Sequence, residues 1–282
     1  MDRRRRGHHI QLLRRTAPEV SIMLDLASQL TDLPEHRGHA PWPGHEYVKG
    51  WGVFGLPFDS GHILALRVFP ENDFGPYKTV WHRDPDGRWS IFVDGDRLEN
   101  ACPRYYGPAC DYTGFATIRV AWTGPASLRV TVDEPALDWT LTAHETTALH
   151  MLNAVGGRLP LATWRSRSLV RAREMIAAAL GLGHLSMTGV MPSGHVGTLM
   201  PQQMYLITQS TAVLDDRDLG HPARLDMNPV IGDVALPARG VVAIGQAMWQ
   251  ALAPSENYSG PGNLMPDPTC DNQALPKRTS MR

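Results

Sequence analysis

Several things are missing from these 282 residues, and each absence removes a class of protein. No segment approaches the roughly 20 apolar residues of a membrane-spanning helix. The formal net charge is only -1, so no global field favours nucleic acid or an anionic membrane. Cysteine is scarce: Cys102, Cys110 and Cys270 have neither the number nor the close pairing of four zinc ligands. The zincin pattern is absent too, because His144 and His150 in "HETTALH" stand six residues apart, about 240° round a helix. "MPSGHVG" places Ser193 two residues before His195 but is not a G-x-S-x-G elbow, and no strand–turn–helix setting surrounds it. "GLGHLSMTG" follows a helix rather than a strand, which excludes a phosphate-binding glycine loop. The acidic pairs Asp84/Asp86 and Asp94/Asp96 belong to turns. The expectation is a protein with no metal, no cofactor, no nucleic-acid partner and no membrane span.

Glycine (26) and proline (23) are plentiful, which fits many short strands joined by turns. The expected fold class is mainly β (α+β): an antiparallel meander forming a barrel or sandwich, with one or two helices around 145–182. Four regions follow: an N-terminal arm (1–40), a first β half (41–145), a helix with a second β-rich half (146–253), and a disordered tail (254–282). Residues 1–22 hold six arginines against Asp2 and Glu19, a formal +4. They read as a disordered tail or as a start placed too early, with Met23 opening the chain. They contain no apolar signal region, so a cytoplasmic protein with free thiols is expected.

The most legible stretch is "YKTVWHRDPDGRWSIFVDG", starting at Tyr77. Asp84-Pro85-Asp86-Gly87 suits a type I turn followed by a left-handed glycine, since proline presets φ and glycine enters that region without steric cost. This turn opposes Arg83 to Trp89, Trp81 to Ile91 and Thr79 to Val93 on one face. On the other it opposes His82 to Ser90, Val80 to Phe92 and Lys78 to Asp94. Both faces are apolar in mid-strand, so both are expected to be covered.

Further strands are read in "YVKGWGVFGLPF", "HILALRVF", "FATIRVAW", "LRVTVD" and "LDWTLTAH", and later in "HLSMTGVM", "MYLITQSTAVL" and "RGVVAIGQAMW". Gly50, Gly52 and Gly55 imply a bend or close backbone approach. A helix is expected over 166–181, capped by Ser166 or Ser168 and ended by Gly181, with Leu169, Ala172, Ile176 and Leu180 on its apolar face. A shorter one covers "HETTALHMLNAV".

Candidate chemistry is sparse. His82, at the end of an apolar strand face, either titrates near neutrality and moves a proton or is satisfied by a neighbour. His195 belongs to a plain polar loop between strands or is a ligand contact or general acid/base at a cavity mouth, and Tyr105 and Asp111 belong to an aromatic loop that either gates or plugs a barrel end. Arg67 is either an outward strand residue or a buried anion clamp. Trp51, Phe54, Arg67, Trp81, Trp89, Phe92 and Trp122 are the expected ligand-binding set, and rigid aromatics beside pliant methionines suit an apolar pocket or an irregular core. The Trp-bearing meander around "WHRDPDGRWSIFVDG" resembles lipocalin-type barrels and, more loosely, the lipocalin-like family that contains carotenoid hydratases. That resemblance covers about residues 46–145, and Gly50-Trp51 are adjacent where lipocalins have Gly-x-Trp. It implies binding of a large apolar molecule and carries over no catalytic residue. The expected function is therefore binding of an apolar small molecule in a β cavity. The alternatives are a hydratase, isomerase or cyclase on the same scaffold, or an interaction domain without a ligand.

Overall fold

A computed structural model of the protein describes residues 24–252. The arm before Leu24, the tail from 254 and Cys270 lie outside the described residues. The hairpin forms as its turn chemistry requires. Gly87 adopts a φ of +93°, and its N–H donates to Asp84 O at 3.0 Å. The register runs from Lys78 opposite Asp94 to Arg83 opposite Trp89, residue for residue as expected.

Ten strands carry the fold: β1 (His45–Pro57), β2 (Ile63–Asn72), β3 (Tyr77–Arg83), β4 (Trp89–Asp94), β5 (Tyr112–Phe115), β6 (Ile118–Gly124), β7 (Ser127–Val132), β8 (Leu137–His144), β9 (Val196–Leu214) and β10 (Val241–Gln250). They lie side by side in the order β5-β4-β3-β2-β1-β10-β9-β8-β7-β6. The two end strands, β5 and β6, are consecutive in the chain with only Ala116 and Thr117 between them. So short a link forces the sheet to curl, and it forms a half-barrel. Lys78, paired with Asp94 at 2.9 Å, also donates to Ile118 O at 2.8 Å, while Asp94 accepts the Ile118 N–H at 3.1 Å. One cross-strand ion pair thus ties the two ends of the curl together.

Alternation sorts side chains onto two sides. Trp51, Val53, Leu66, Val80, Leu128, Val130, Trp139, Leu141, Tyr205 and Val242 point to the concave side and fill it, joined by Leu26 and Leu30 of helix α1 (Leu26–Leu30). Ile63, Ala65, Trp81, Trp89, Ile91 and Val93 point to the convex side. There the segment containing α2 (Pro103–Tyr106) covers them with Cys102, Tyr105 and Tyr106, together with Leu236 and Trp249. Both faces of the 77–94 hairpin are therefore sheltered. Helices α3 (Thr147–Gly156) and α4 (Arg167–Ala179) pack through Leu149, Val170 and Ala177 against a cluster that includes Leu206, Val241 and Met248.

The structure adds to the sequence reading or departs from it at five points. "FATIRVAW" is not one strand, because Phe115 ends β5, which pairs parallel to β4, and β6 begins at Ile118. The β-rich halves either side of 145 share a single sheet, since β10 returns to lie between β1 and β9. The aromatic loop with Tyr105 neither gates nor plugs a barrel end; it lies along the convex face. The expected apolar stripe of α4 is only partly covered: Leu180 packs against the core and Ala172 is half-buried, but Leu169 and Ile176 are 46% and 42% exposed, and Val170 and Ala177 are the buried anchors. Ser166 occupies the cap position without a side-chain bond, although Gly181 does take the left-handed conformation and Leu182 packs back.

Candidate functional site

The convex face of the central strands is built from very small residues. In register, Gly52 opposes Ala243, Gly50 opposes Gly245 and Val48 opposes Ala247. The glycines are also required by close approach: a Cβ on Gly50 meets Val68 O at 2.0 Å, and one on Gly52 meets Leu66 O at 2.1 Å. Above this floor is a void of about 40 Å³, walled by Phe54, Trp81, Tyr106, Leu236 and Trp249. A second void of about 50 Å³ lies alongside, sharing Phe54, Leu199, Pro201, Leu236 and Ala243 and adding Met187 and Met204.

Arg67 lines the first void. Its position on β2 is outward, but that face is covered, so the residue is only 4% exposed. The two readings of Arg67 thus meet in one residue: outward from the curl and buried. Its guanidinium lies 4.0 Å from the Phe54 ring centroid and 5.0 Å from that of Trp81. Both of its hydrogen bonds leave from Nη1, to Leu66 O at 3.0 Å and to Val53 O. Among the described residues no carboxylate pairs with it. Burial pushes its pKa down, opposed by the nearby Cys102, Tyr106 and Tyr77.

Behind Trp249 lies a polar cluster. Glu46 faces Trp249 across the β1–β10 register. Its carboxylate accepts from Arg104 Nε at 2.7 Å, from Arg104 Nη2 and from the Tyr105 hydroxyl at 2.8 Å. Burial opposes the charge, yet these donors outweigh it and hold the carboxyl below its usual range. Tyr105 stacks on Trp249 at 3.8 Å between centroids and meets the His195 ring edge-on at 5.2 Å. Its hydroxyl is pushed well above the usual range by burial and by Glu46. His195 is buried and its pKa is depressed by burial, against the opposing pull of Glu46. Its Nδ1 lies 2.7 Å from Ser193 Oγ, and its Nε2, 3.9 Å from Glu46, has no hydrogen-bond partner among the described residues.

A neutral imidazole whose Nε2–H faces a carboxylate presents a bare Nδ1 to the serine hydroxyl, the polarity of a base aimed at a nucleophile. An acyl-transfer site also needs free N–H donors for an oxyanion. Here the Ser193 N–H donates to Tyr105 O and the Gly194 N–H to Met191 O, so neither is free. The cluster can hold and move a proton; as arranged it does not stabilise a tetrahedral intermediate.

The other candidates fall elsewhere. Asp111 accepts the Trp89 N–H at 2.9 Å and holds the start of β4. Trp89 is part of the convex core, donating to Val230 O at 3.1 Å. Trp51 and Trp122 pack together at 5.5 Å on the concave side, where Trp51 also reaches the edge of the Arg67 void, and Phe92 lies against Tyr112. His82 does not titrate near neutrality. Its Nε2 is 2.8 Å from His62 Nδ1 in a stacked pair, and burial and His62 push it down to about 4, against Asp84 and Asp215. His62 is lowered as well, by burial and Arg217. An unfolded histidine takes its proton near 6.5 while folded His82 waits until about 4, so stability falls as pH drops across that window. Melting temperature followed from pH 7 to 4 is expected to show this loss, and His82→Asn to flatten it.

Glu46, Arg104, Trp249 and His62 escaped the sequence reading. A larger groove of about 760 Å³ opens over β7–β9, but it is an open field of hydroxyls from Thr140, Thr142, Thr211 and Ser127 whose lining holds no carboxylate, Lys or Arg and a single histidine, His221. No group of three metal-ligating side chains gathers among the described residues. Comparison with protein-family models, curated proteins and solved structures finds no match for this chain.

Proposed function

We propose that this protein binds a small molecule with an apolar body and an anionic end, held by Arg67 on the convex side of the sheet. One observation carries the reading: a guanidinium almost wholly removed from water, without a carboxylate partner among the described residues, at the wall of an aromatic-lined void. A buried charge left unpaired costs several kcal/mol, and a carboxylate on a guest supplies what the protein omits. Arginine suits the task because its planar fork engages a carboxylate bidentately. At roughly 10–15 Å³ per water-sized occupant the first void takes a carboxylate and its first carbons. The tail then continues past Phe54 and Leu236 into the second void, where Met187 and Met204 can adapt. A short acyl or aryl carboxylate fits this description.

Native mass spectrometry of protein purified without additives tests it. A carboxylate-sized extra mass in the wild type, lost in Ala243→Leu because leucine fills the void, is expected. Clean masses throughout, with no thermal shift from a series of carboxylates, contradict it.

A further inference from the structure

The segment from α3 to α4 carries positive charge together with exposed apolar side chains. Residues 147–179 contain Arg158, Arg165, Arg167, Arg171 and Arg173 against the single acid Glu174, a formal +4 in a protein whose net charge is -1. Glu174 is turned inward, where it accepts the Met187 N–H at 2.8 Å. Glu145, just outside, is engaged by Asn153 and His150. Arg158, Arg165, Arg167 and Arg171 are exposed, whereas Arg173 is tied to Thr163 and the Trp164 ring.

The same layer holds six of the large apolar side chains that reach solvent: Met151, Val155, Leu159, Leu169, Met175 and Ile176. Met175 is 70% exposed and Met151 67%. Met151 and Val155 share one face of α3, being four residues apart, and Leu169 and Ile176, seven apart, share one face of α4. Two members of the stripe that patterning assigns to the core, Leu169 and Ile176, are exposed, while Leu180 at its end packs inward and the helix is anchored through Val170 and Ala177. Isolated exposed apolar residues need no account, but Leu169, Met175 and Ile176 exposed on one helix together with Arg167 and Arg171, its one acid turned inward, do.

We infer that this face docks on an anionic lipid surface, lying in the interface without crossing it. Apolar side chains on short helices enter the headgroup boundary and flanking arginines meet the phosphates, the arrangement of interfacial amphipathic helices. The charge also decides between occupants. The chain's own N-terminal stretch is +4 over residues 1–22 and is repelled by this face, and a second copy would bring arginine against arginine. Docking here is independent of the carboxylate reading, so either can fail alone.

Vesicle co-sedimentation of the full chain tests the inference, using phosphatidylcholine alone and phosphatidylcholine with roughly 30% phosphatidylglycerol. Binding to the anionic vesicles only, weakened by salt, is expected. Arg167→Glu with Arg171→Glu is expected to lower partitioning by roughly thirty-fold, and Met175→Asp with Leu169→Asp by about tenfold. All four positions are exposed, so melting temperatures should stay at the wild-type value and show that the variants fold. Absence of binding, equal binding to neutral vesicles, or indifference to both variants overturns the inference. So does a concentration-dependent dimer that Met175→Asp abolishes, which would make the face a self-interface.

Discussion

Arg67→Met raises the melting temperature and removes carboxylate binding together. Methionine has a similar length and fits between Phe54 and Trp81, so the change removes charge without opening a large hole. The guanidinium makes two carbonyl bonds and lies against two aromatic rings, without a carboxylate partner among the described residues. Removing such a charge stabilises by about 2 kcal/mol, or roughly 4–8 °C for a domain of this size. Calorimetric melts with and without a carboxylate measure both halves of the effect. If Arg67 is instead a structural strut, its loss orphans the Val53 and Leu66 carbonyls and lowers the melting temperature.

Trp139→Ala costs about 3–5 kcal/mol, a large share of the 5–15 kcal/mol that holds a typical domain together. Trp139 is fully buried on the concave side, and its Nε1 donates to Ser210 Oγ at 2.9 Å, which in turn donates to Thr140 O at 2.7 Å. Truncation leaves a cavity among β7, β8 and β9 and removes a partner from a buried hydroxyl. Urea unfolding followed by far-UV circular dichroism gives the value. A cost below about 1 kcal/mol would mean that the concave side is loose enough to be a guest chamber, contrary to the filled core described above.

The local parts of this architecture were legible because local chemistry determines them. The register from Lys78–Asp94 to Arg83–Trp89 follows from one Pro and one Gly in the turn plus period-two alternation, all within 20 residues. The meander of β6, β7 and β8 is legible for the same reason, with Leu137, Trp139, Leu141 and Ala143 turned in and Asp138 and His144 turned out. What escaped depends on distant pairing. Nothing near Glu46 indicates that Trp249 will lie opposite it, and without that register the Glu46–Tyr105–His195 cluster is three unrelated residues. Arg67 could be placed on the outward face of its strand, but only the segment from Cys102 to Tyr106 packing over that face makes it buried. In α4 the apolar stripe was read only in part: Leu180 packs inward, whereas Leu169 and Ile176 stay exposed and Val170 and Ala177 anchor the helix. Periodicity reports that a stripe exists, and packing decides whether protein covers it.

The most direct measurement is a crystal structure of the protein soaked in 4-bromobenzoate, with the bromine located by its anomalous signal. The account places the carboxylate on the free side of the Arg67 guanidinium and the bromine between Leu236 and Met187. A saturating soak with no bromine there, or with bromine only in the open threonine groove over β7–β9, contradicts it.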